Sequence, residues 1–188
     1  MKCIFLENGV NYLSEEELRN LTNCLKQINI EVKVSKEEEN VIKHSFFSDV
    51  VIYVNANLTE LFVTGMLSPT SFEILKASFL LLYKRIVKRV RVLHNGNVRE
   101  SRPVFKYKTE KGEVSVQIPN DLNDIQFELL MDNIKHGMES LAPYHDSDKL
   151  DGFMILDVKD DLNVQVKTLH EYVLEQKERQ SCKKERNY

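Results

Sequence analysis

The chain of 188 residues has few glycines, prolines and cysteines, and it has no long uncharged apolar segment. Its six glycines and four prolines are too few for a collagen-like or linker-dominated protein. The three cysteines, Cys3, Cys24 and Cys182, form no CxxC pair, and one would stay unpaired in any disulfide scheme. Cysteines used in this way are typical of a reducing compartment, so the sequence predicts a cytoplasmic protein.

The most apolar stretch, residues 61–83, contains Pro69, Glu73 and Lys76. A membrane-spanning helix needs about 20 nearly uncharged apolar residues, so we expect no such helix. The composition is that of an ordinary globular protein, with 42% hydrophobic and 29% charged residues. We predict a single domain over residues 1–180, with a weak subdomain boundary near 95–102, and a flexible tail over 181–188.

The apolar residues recur at both helical and strand-like spacing. In the N-terminal half, Ser14 and Glu17 form a capping box at the start of a helix that carries Cys24 on its apolar face. The predicted strands are residues 3–6, 30–34, 49–55, 90–93, 104–108, 114–118, 153–156 and 164–166. The predicted helices after the first are residues 70–88, 121–141 and 169–180.

This pattern predicts an α+β (or α/β) fold with one mixed sheet. A β-α-β-type N-terminal half is expected to join a C-terminal half of antiparallel hairpins packed with helices. Residues 56–67 fit no pattern clearly. The loop over residues 94–102 is expected to be flexible.

Positive charge is concentrated in one segment. Residues 84–108 contain nine basic side chains and one acidic one, a balance of +8, whereas residues 1–83 and 109–188 have balances of -4 and -7. Such an asymmetry bears on the choice of partner rather than on the fold.

Strand alternation gives this segment a possible geometry. Basic and apolar residues alternate in the predicted strands 90–93 and 104–108, so the apolar ones are expected to face the core and the basic ones the solvent. If these strands are neighbours, their basic side chains form one face. The predicted anion-binding residues on this face and in the loop beside it are Arg89, Arg91, Arg99, Arg102, Lys106 and Lys108.

The partner of such a face would be an acidic protein surface, a nucleic-acid backbone or a phosphate. Because Phe105 and Tyr107 are predicted to point inward, contact with nucleic acid would involve the backbone rather than stacked bases. The alternative is local neutralisation. Lys84, Arg85 and Lys88 suit a helix C-terminus, and the flanking acidic segments can fold back on the basic one.

A second hypothesis concerns Asp157 and Lys159, which follow an apolar strand with the (D/E)-x-K spacing of metal-dependent nucleases. There the carboxylate holds Mg²⁺ and the lysine assists the attacking water or the phosphate. Three such triplets occur in the chain, which is about the number expected by chance. Asp49 is a possible second ligand. The histidines show no metal-binding spacing, so we expect neither a resident metal nor a cofactor.

The sequence contains no P-loop, no GxGxxG and no GxSxG motif. The first hypothesis is therefore a non-enzymatic binding module that uses the basic segment 84–108 to engage an anionic partner. The alternatives are a metal-dependent phosphodiesterase or nuclease built on Asp157 and Lys159, and a self-associating structural protein. Self-association as a homodimer rests on the wide apolar stripe of helix 70–88.

Overall fold

The computed structural model describes residues 1–7, 9–35, 50–94, 97–110, 112–142 and 152–185. The helices in these ranges are α1 (Glu15–Lys26), α2 (Ala56–Val63), α3 (Pro69–Arg89), α4 (Asp124–Glu139) and α5 (Leu169–Glu185). The first strands are β1 (Lys2–Leu6), β2 (Ile30–Val34), β3 (Val51–Val54), β4 (Arg91–His94) and β5 (Asn97–Glu100). The later strands are β6 (Val104–Lys108), β7 (Gly112–Gln117), β8 (Gly152–Val158) and β9 (Val164–Thr168).

Seven of these strands form one mixed sheet in the order β2-β1-β3-β6-β7-β8-β9. The pairs β1/β2, β3/β6 and β7/β8 are parallel, and the other neighbours in this sheet are antiparallel. Strands β4 and β5 pair with each other in a separate two-stranded sheet. The predicted α+β fold is confirmed, as are the two hairpins β6–β7 and β8–β9.

The core lies between one face of the large sheet and the helices. Phe79 of α3 packs against Phe105 of β6 with ring centroids 4.8 Å apart, and Phe62 of α2 lies 5.5 Å from Tyr107. Both strand aromatics are fully buried, so the prediction that they point inward is confirmed. Helices α1 and α4 contribute to the same apolar cluster. Among the described helices, α5 alone packs on the opposite face, where it covers β8 and β9.

Several local details differ from the prediction. Residues 56–63 are helical because the Asn55 side chain accepts a hydrogen bond from the Leu58 amide and caps the helix. Part of the expected loop 94–102 is strand β5, which fits the Asn-Gly sequence that precedes it. Helix α5 continues to Glu185. Cys24 is exposed, because the buried face of α1 follows Leu21 and Leu25 instead.

The apolar stripe of α3 is used within the chain. Phe72, Leu75, Phe79, Leu82 and Ile86 are all buried in the core. The stripe is therefore explained without a second copy of the chain, and self-association remains a prediction. None of the helices in the described ranges is long and apolar enough to cross a membrane.

Candidate functional site

The topology divides the predicted basic face into separate groups. The buried positions of helix α3 recur at helical spacing as far as Ile86, and the helix ends at Arg89. Arg89 therefore lies on a helix and not on a strand. Arg91 lies in β4, which pairs with β5 and not with β6. The expectation that Arg89 and Arg91 share a sheet face with Lys106 and Lys108 is therefore wrong.

Acidic residues from both flanking segments meet the basic residues of α3. Arg85 Nε lies 2.6 Å from Glu17 Oε1, and Arg89 Nη1 lies 2.8 Å from Glu17 Oε2. Hydrogen bonds from the Ser14 amide and from Arg89 hold the pKa of Glu17 below its ordinary value. Lys84 Nζ lies 2.6 Å from Asp124 Oδ2. This end of the basic segment is thus partly neutralised inside the fold, with the carboxylates of Glu17 and Asp124 set against Lys84, Arg85, Lys88 and Arg89.

Arg91, Arg99 and Arg102 lie on or beside the β4–β5 hairpin. Arg91 donates a hydrogen bond to the Val87 carbonyl over 2.8 Å, and Arg99 donates one to the Glu100 carbonyl over 2.9 Å. Arg102 is exposed and lines a cleft at the ends of β7 and β8. Arg91 and Arg99 therefore lie in the separate two-stranded sheet, and Arg102 lies in the segment between β5 and β6.

Lys106 and Lys108 occupy the face that alternation predicts for them, opposite to Phe105 and Tyr107. Lys106 Nζ lies 2.9 Å from Oε1 of Glu113, and Lys108 binds the other oxygen of the same carboxylate. The Glu113 side chain is only 4% exposed. Burial alone would raise the pKa of Glu113, but the hydrogen bonds from Lys108 and Lys106 outweigh burial and keep it below its ordinary value.

Two aromatic rings, which are not among the predicted site residues, share this face with Lys106 and Lys108. The Lys108 and Lys106 ammonium nitrogens lie 5.2 and 5.7 Å from the centre of the Tyr53 ring, within the range of cation–π attraction. Phe5 packs beside Tyr53 with ring centroids 6.0 Å apart. The signal was present in the sequence, since alternation places Tyr53 opposite to Ile52 and Val54. Residues 49–55 form a nearly continuous apolar run, which is typical of a strand covered on both faces and obscures this alternation.

The strand register lines these side chains up across the sheet. Lys33 pairs with Phe5, Phe5 with Tyr53, and Tyr53 with Lys106. Strands are roughly 4.8 Å apart, so the row runs straight across four neighbouring strands. We define the lysine–aromatic face as Lys33, Phe5, Tyr53, Lys106 and Lys108.

The predicted Asp157–Lys159 pair belongs to a compact ionic cluster under α5. Asp157 Oδ2 accepts hydrogen bonds from Lys159 over 2.6 Å and from Lys167 over 2.7 Å. Lys167 also binds Glu175 of α5 over 2.5 Å. Burial would raise the pKa of Asp157, but the hydrogen bonds from the two lysines outweigh it and lower the value.

The carboxylate of Asp157 is therefore already matched by ammonium groups. Within the described ranges, no three His, Cys, Asp or Glu side chains are grouped so that they could hold a metal ion. Asp49 lies outside those ranges. The metal-dependent hypothesis stays a prediction.

The chain was also compared with known proteins. No match was found. This holds for family models, for curated proteins and for solved structures. The lysine–aromatic face joins two aromatic rings and three lysines on one face of the sheet.

Proposed function

We propose that the protein is a binding module whose lysine–aromatic face engages single-stranded nucleic acid. The observation that carries the proposal is the position of the Lys106 and Lys108 ammonium groups, which both lie over the ring of Tyr53. Proteins that bind single strands combine aromatic side chains, on which bases stack, with cations that follow the backbone. Here the two kinds of group lie side by side on one face of a sheet.

The two rings supply the stacking part of such a site. Phe5 and Tyr53 lie on neighbouring strands, with ring centroids 6.0 Å apart and ring planes inclined by 57°. A base contacting either ring gains stacking energy irrespective of its sequence, because every base has an aromatic face. In a duplex the same faces are covered by neighbouring base pairs, so this surface favours an unpaired strand.

The lysines supply the electrostatic part. Glu113 binds both Lys106 and Lys108, which leaves a net charge of +1 on these three side chains. Lys108 is about half exposed, with 47% of its side chain accessible. Lys33 at the far end of the row is 53% exposed, and its ammonium nitrogen lies 3.6 Å from the Glu31 carboxylate of the same strand. Both can reach phosphate oxygens while the rings hold the bases. Because phosphate neutralisation releases counterions, binding is expected to weaken as salt rises.

An acidic protein segment is the competing partner, and the rings argue against it. Carboxylates would pair with the lysines but gain little from Phe5 and Tyr53, whereas a nucleic-acid strand uses both groups. A competition experiment distinguishes the two partners. An acidic peptide that displaces the oligonucleotide at equal concentration would contradict the proposal.

The test is a fluorescence anisotropy titration with a short labelled single strand of mixed sequence and with the matching duplex. The variant Lys106→Gln/Lys108→Gln/Glu113→Gln removes the three charges beside Tyr53 together and avoids leaving Glu113 buried without a cation. We expect at least tenfold weaker binding of the single strand by this variant.

The matched control is Lys26→Gln/Lys88→Gln/Glu60→Gln, which makes the same change in net charge at exposed helical positions. It should bind within about twofold of the parent protein, since distant sites act independently. Equal loss in both variants, or equal affinity for the duplex, would overturn the proposal.

A further inference from the structure

A second surface feature lies at the edge of the sheet, away from the lysine–aromatic face. It is a cleft of about 300 Å³ beside the ends of β7 and β8 and the first turn of α5. We call it the edge cleft. Its polar and aromatic lining residues are Arg102, Gln117, Asn120, Asp121, Asp157 and Tyr172.

The edge cleft lies beside the carboxyl ends of two parallel strands. Strands β7 and β8 are parallel neighbours, and helix α4 lies between them in the chain. Their carboxyl ends therefore meet at one edge of the sheet. In open α/β sheets, ligands bind in the crevice outside the carboxyl ends of parallel strands, and the edge cleft lies at the corresponding ends of β7 and β8.

The wall that follows β7 is held by bonds from the core. The Ile118 amide donates a hydrogen bond to the Pro103 carbonyl over 2.8 Å, and the Leu122 amide donates one to the Tyr83 hydroxyl over 2.8 Å. These two bonds fix both ends of the segment that carries Asn120 and Asp121. The edge cleft thus has a preformed wall, as ligand sites usually do.

The side chains of the lining suit a ligand that is anionic at one end and rich in hydrogen-bond donors and acceptors at the other. Arg102 supplies a guanidinium, which suits phosphate because its N–H groups can bind two oxygens at once. Asn120, whose amide nitrogen also donates a hydrogen bond to Glu100 over 3.5 Å, and Asp121 offer amide and carboxylate groups of the kind that bind the edges of bases. Tyr172 supplies a ring.

Asp157, which lines the edge cleft together with Asp121, does not repel an anion strongly. Both Lys159 and Lys167 donate to Oδ2 of Asp157, so its charge is compensated next to the edge cleft. A volume of about 300 Å³ is at the small end of the range for ligand pockets, which suits one nucleotide rather than a dinucleotide. We infer that the edge cleft binds a nucleoside monophosphate, with the phosphate at Arg102 and the base against Tyr172.

Isothermal titration calorimetry of the full chain tests this inference with the four nucleoside 5′-monophosphates, the four nucleosides and inorganic phosphate. We expect at least one monophosphate to bind, and its nucleoside and inorganic phosphate to bind at least tenfold more weakly. No binding of any monophosphate up to millimolar concentration would overturn the inference. So would equal or tighter binding of inorganic phosphate or of the nucleoside.

Three variants locate the site. Arg102→Gln and Tyr172→Leu should each weaken binding at least tenfold, whereas Arg19→Gln, an exposed arginine on α1, should leave it unchanged. Circular dichroism checks that each variant is folded, and Arg102→Lys, which keeps the charge but loses the paired N–H groups, should be intermediate. Unchanged affinity in both Arg102→Gln and Tyr172→Leu would place the ligand elsewhere and contradict the inference.

The edge cleft shares no residue with the lysine–aromatic face, so the two proposals can fail separately. The variant Lys106→Gln/Lys108→Gln/Glu113→Gln is expected to bind the monophosphate normally. Loss of nucleotide binding in that variant, with Arg102→Gln unaffected, would contradict the inference about the edge cleft.

Discussion

Lys167 on β9 donates a hydrogen bond to Oδ2 of Asp157 on β8 over 2.7 Å, and the two side chains are only 8% and 9% exposed. Lys159 and Glu175 complete the cluster, in which two cations meet two anions. Because Glu175 belongs to α5, the cluster also attaches that helix to the sheet. Buried charges of this kind are stable only while each retains its partner.

Removing Asp157 should therefore destabilise the fold. We expect Asp157→Ala to lower the free energy of unfolding by about 3 kcal/mol, the lower end of the range for breaking a buried pair, since Glu175 still accompanies Lys167. Urea denaturation measures the change. The control is Asp160→Ala at an exposed position of the same hairpin, which should stay within about 0.5 kcal/mol of the parent. Equal effects of the two substitutions would show that the cluster does not contribute to stability.

The same cluster predicts a dependence of stability on pH. The folded-state pKa of Asp157 lies below its ordinary value of 3.8, so its ionised form stabilises the folded state. That contribution is fully present above 3.8 and is lost as the pH falls through the lower, folded-state pKa. The difference in unfolding free energy between the parent and Asp157→Asn should shrink in that acid range. A difference that grows on acidification would have the wrong sign for this account.

Glu113 gives a prediction about coupled substitutions. Lys106→Gln/Lys108→Gln leaves its carboxylate buried without a cation, and we expect a loss of about 2 kcal/mol in unfolding free energy. Adding Glu113→Gln removes the unpaired charge and should restore most of that loss. Chemical denaturation of the double and triple variants measures the coupling. A triple variant less stable than the double one would contradict the pairing of these residues.

Gly112 tests the parallel pairing of β7 with β8. A Cβ atom at this position would lie 2.0 Å from the Gly152 carbonyl oxygen, so alanine forces the two strands apart. We expect Gly112→Ala to cost about 3 kcal/mol of unfolding free energy, at the upper end for overpacked sites. Thermal or urea unfolding measures it, with Ser115→Ala on the same strand as the control. A Gly112→Ala variant as stable as the control would argue against this register.

Sequence alternation predicted much of the sheet. Phe105 and Tyr107 face the core, Lys106 and Lys108 face away from it, and the Ser14–Glu17 capping box opens α1. These features depend on residues close together in the chain, where periodicity and capping chemistry act directly.

The arrangement between strands was not predictable in the same way. The parallel pairs β3/β6 and β7/β8 join segments far apart in sequence, and only the assembled core selects them. No local pattern in the sequence therefore predicts that Tyr53 and Lys106 are neighbours. Strand alternation suggests Arg91 beside Lys106, but Arg91 lies on β4, which pairs with β5 in a separate sheet.

The central claim is that single-stranded nucleic acid lies on the lysine–aromatic face. The most direct measurement is an NMR titration of isotope-labelled protein with a short single strand, following backbone and lysine side-chain signals. We predict that shifts concentrate on Lys33, Phe5, Tyr53, Lys106 and Lys108, and that signals of α1 and α3 on the other face of the sheet stay in place. Shifts confined to those helices, or no shifts at millimolar oligonucleotide, would contradict the account.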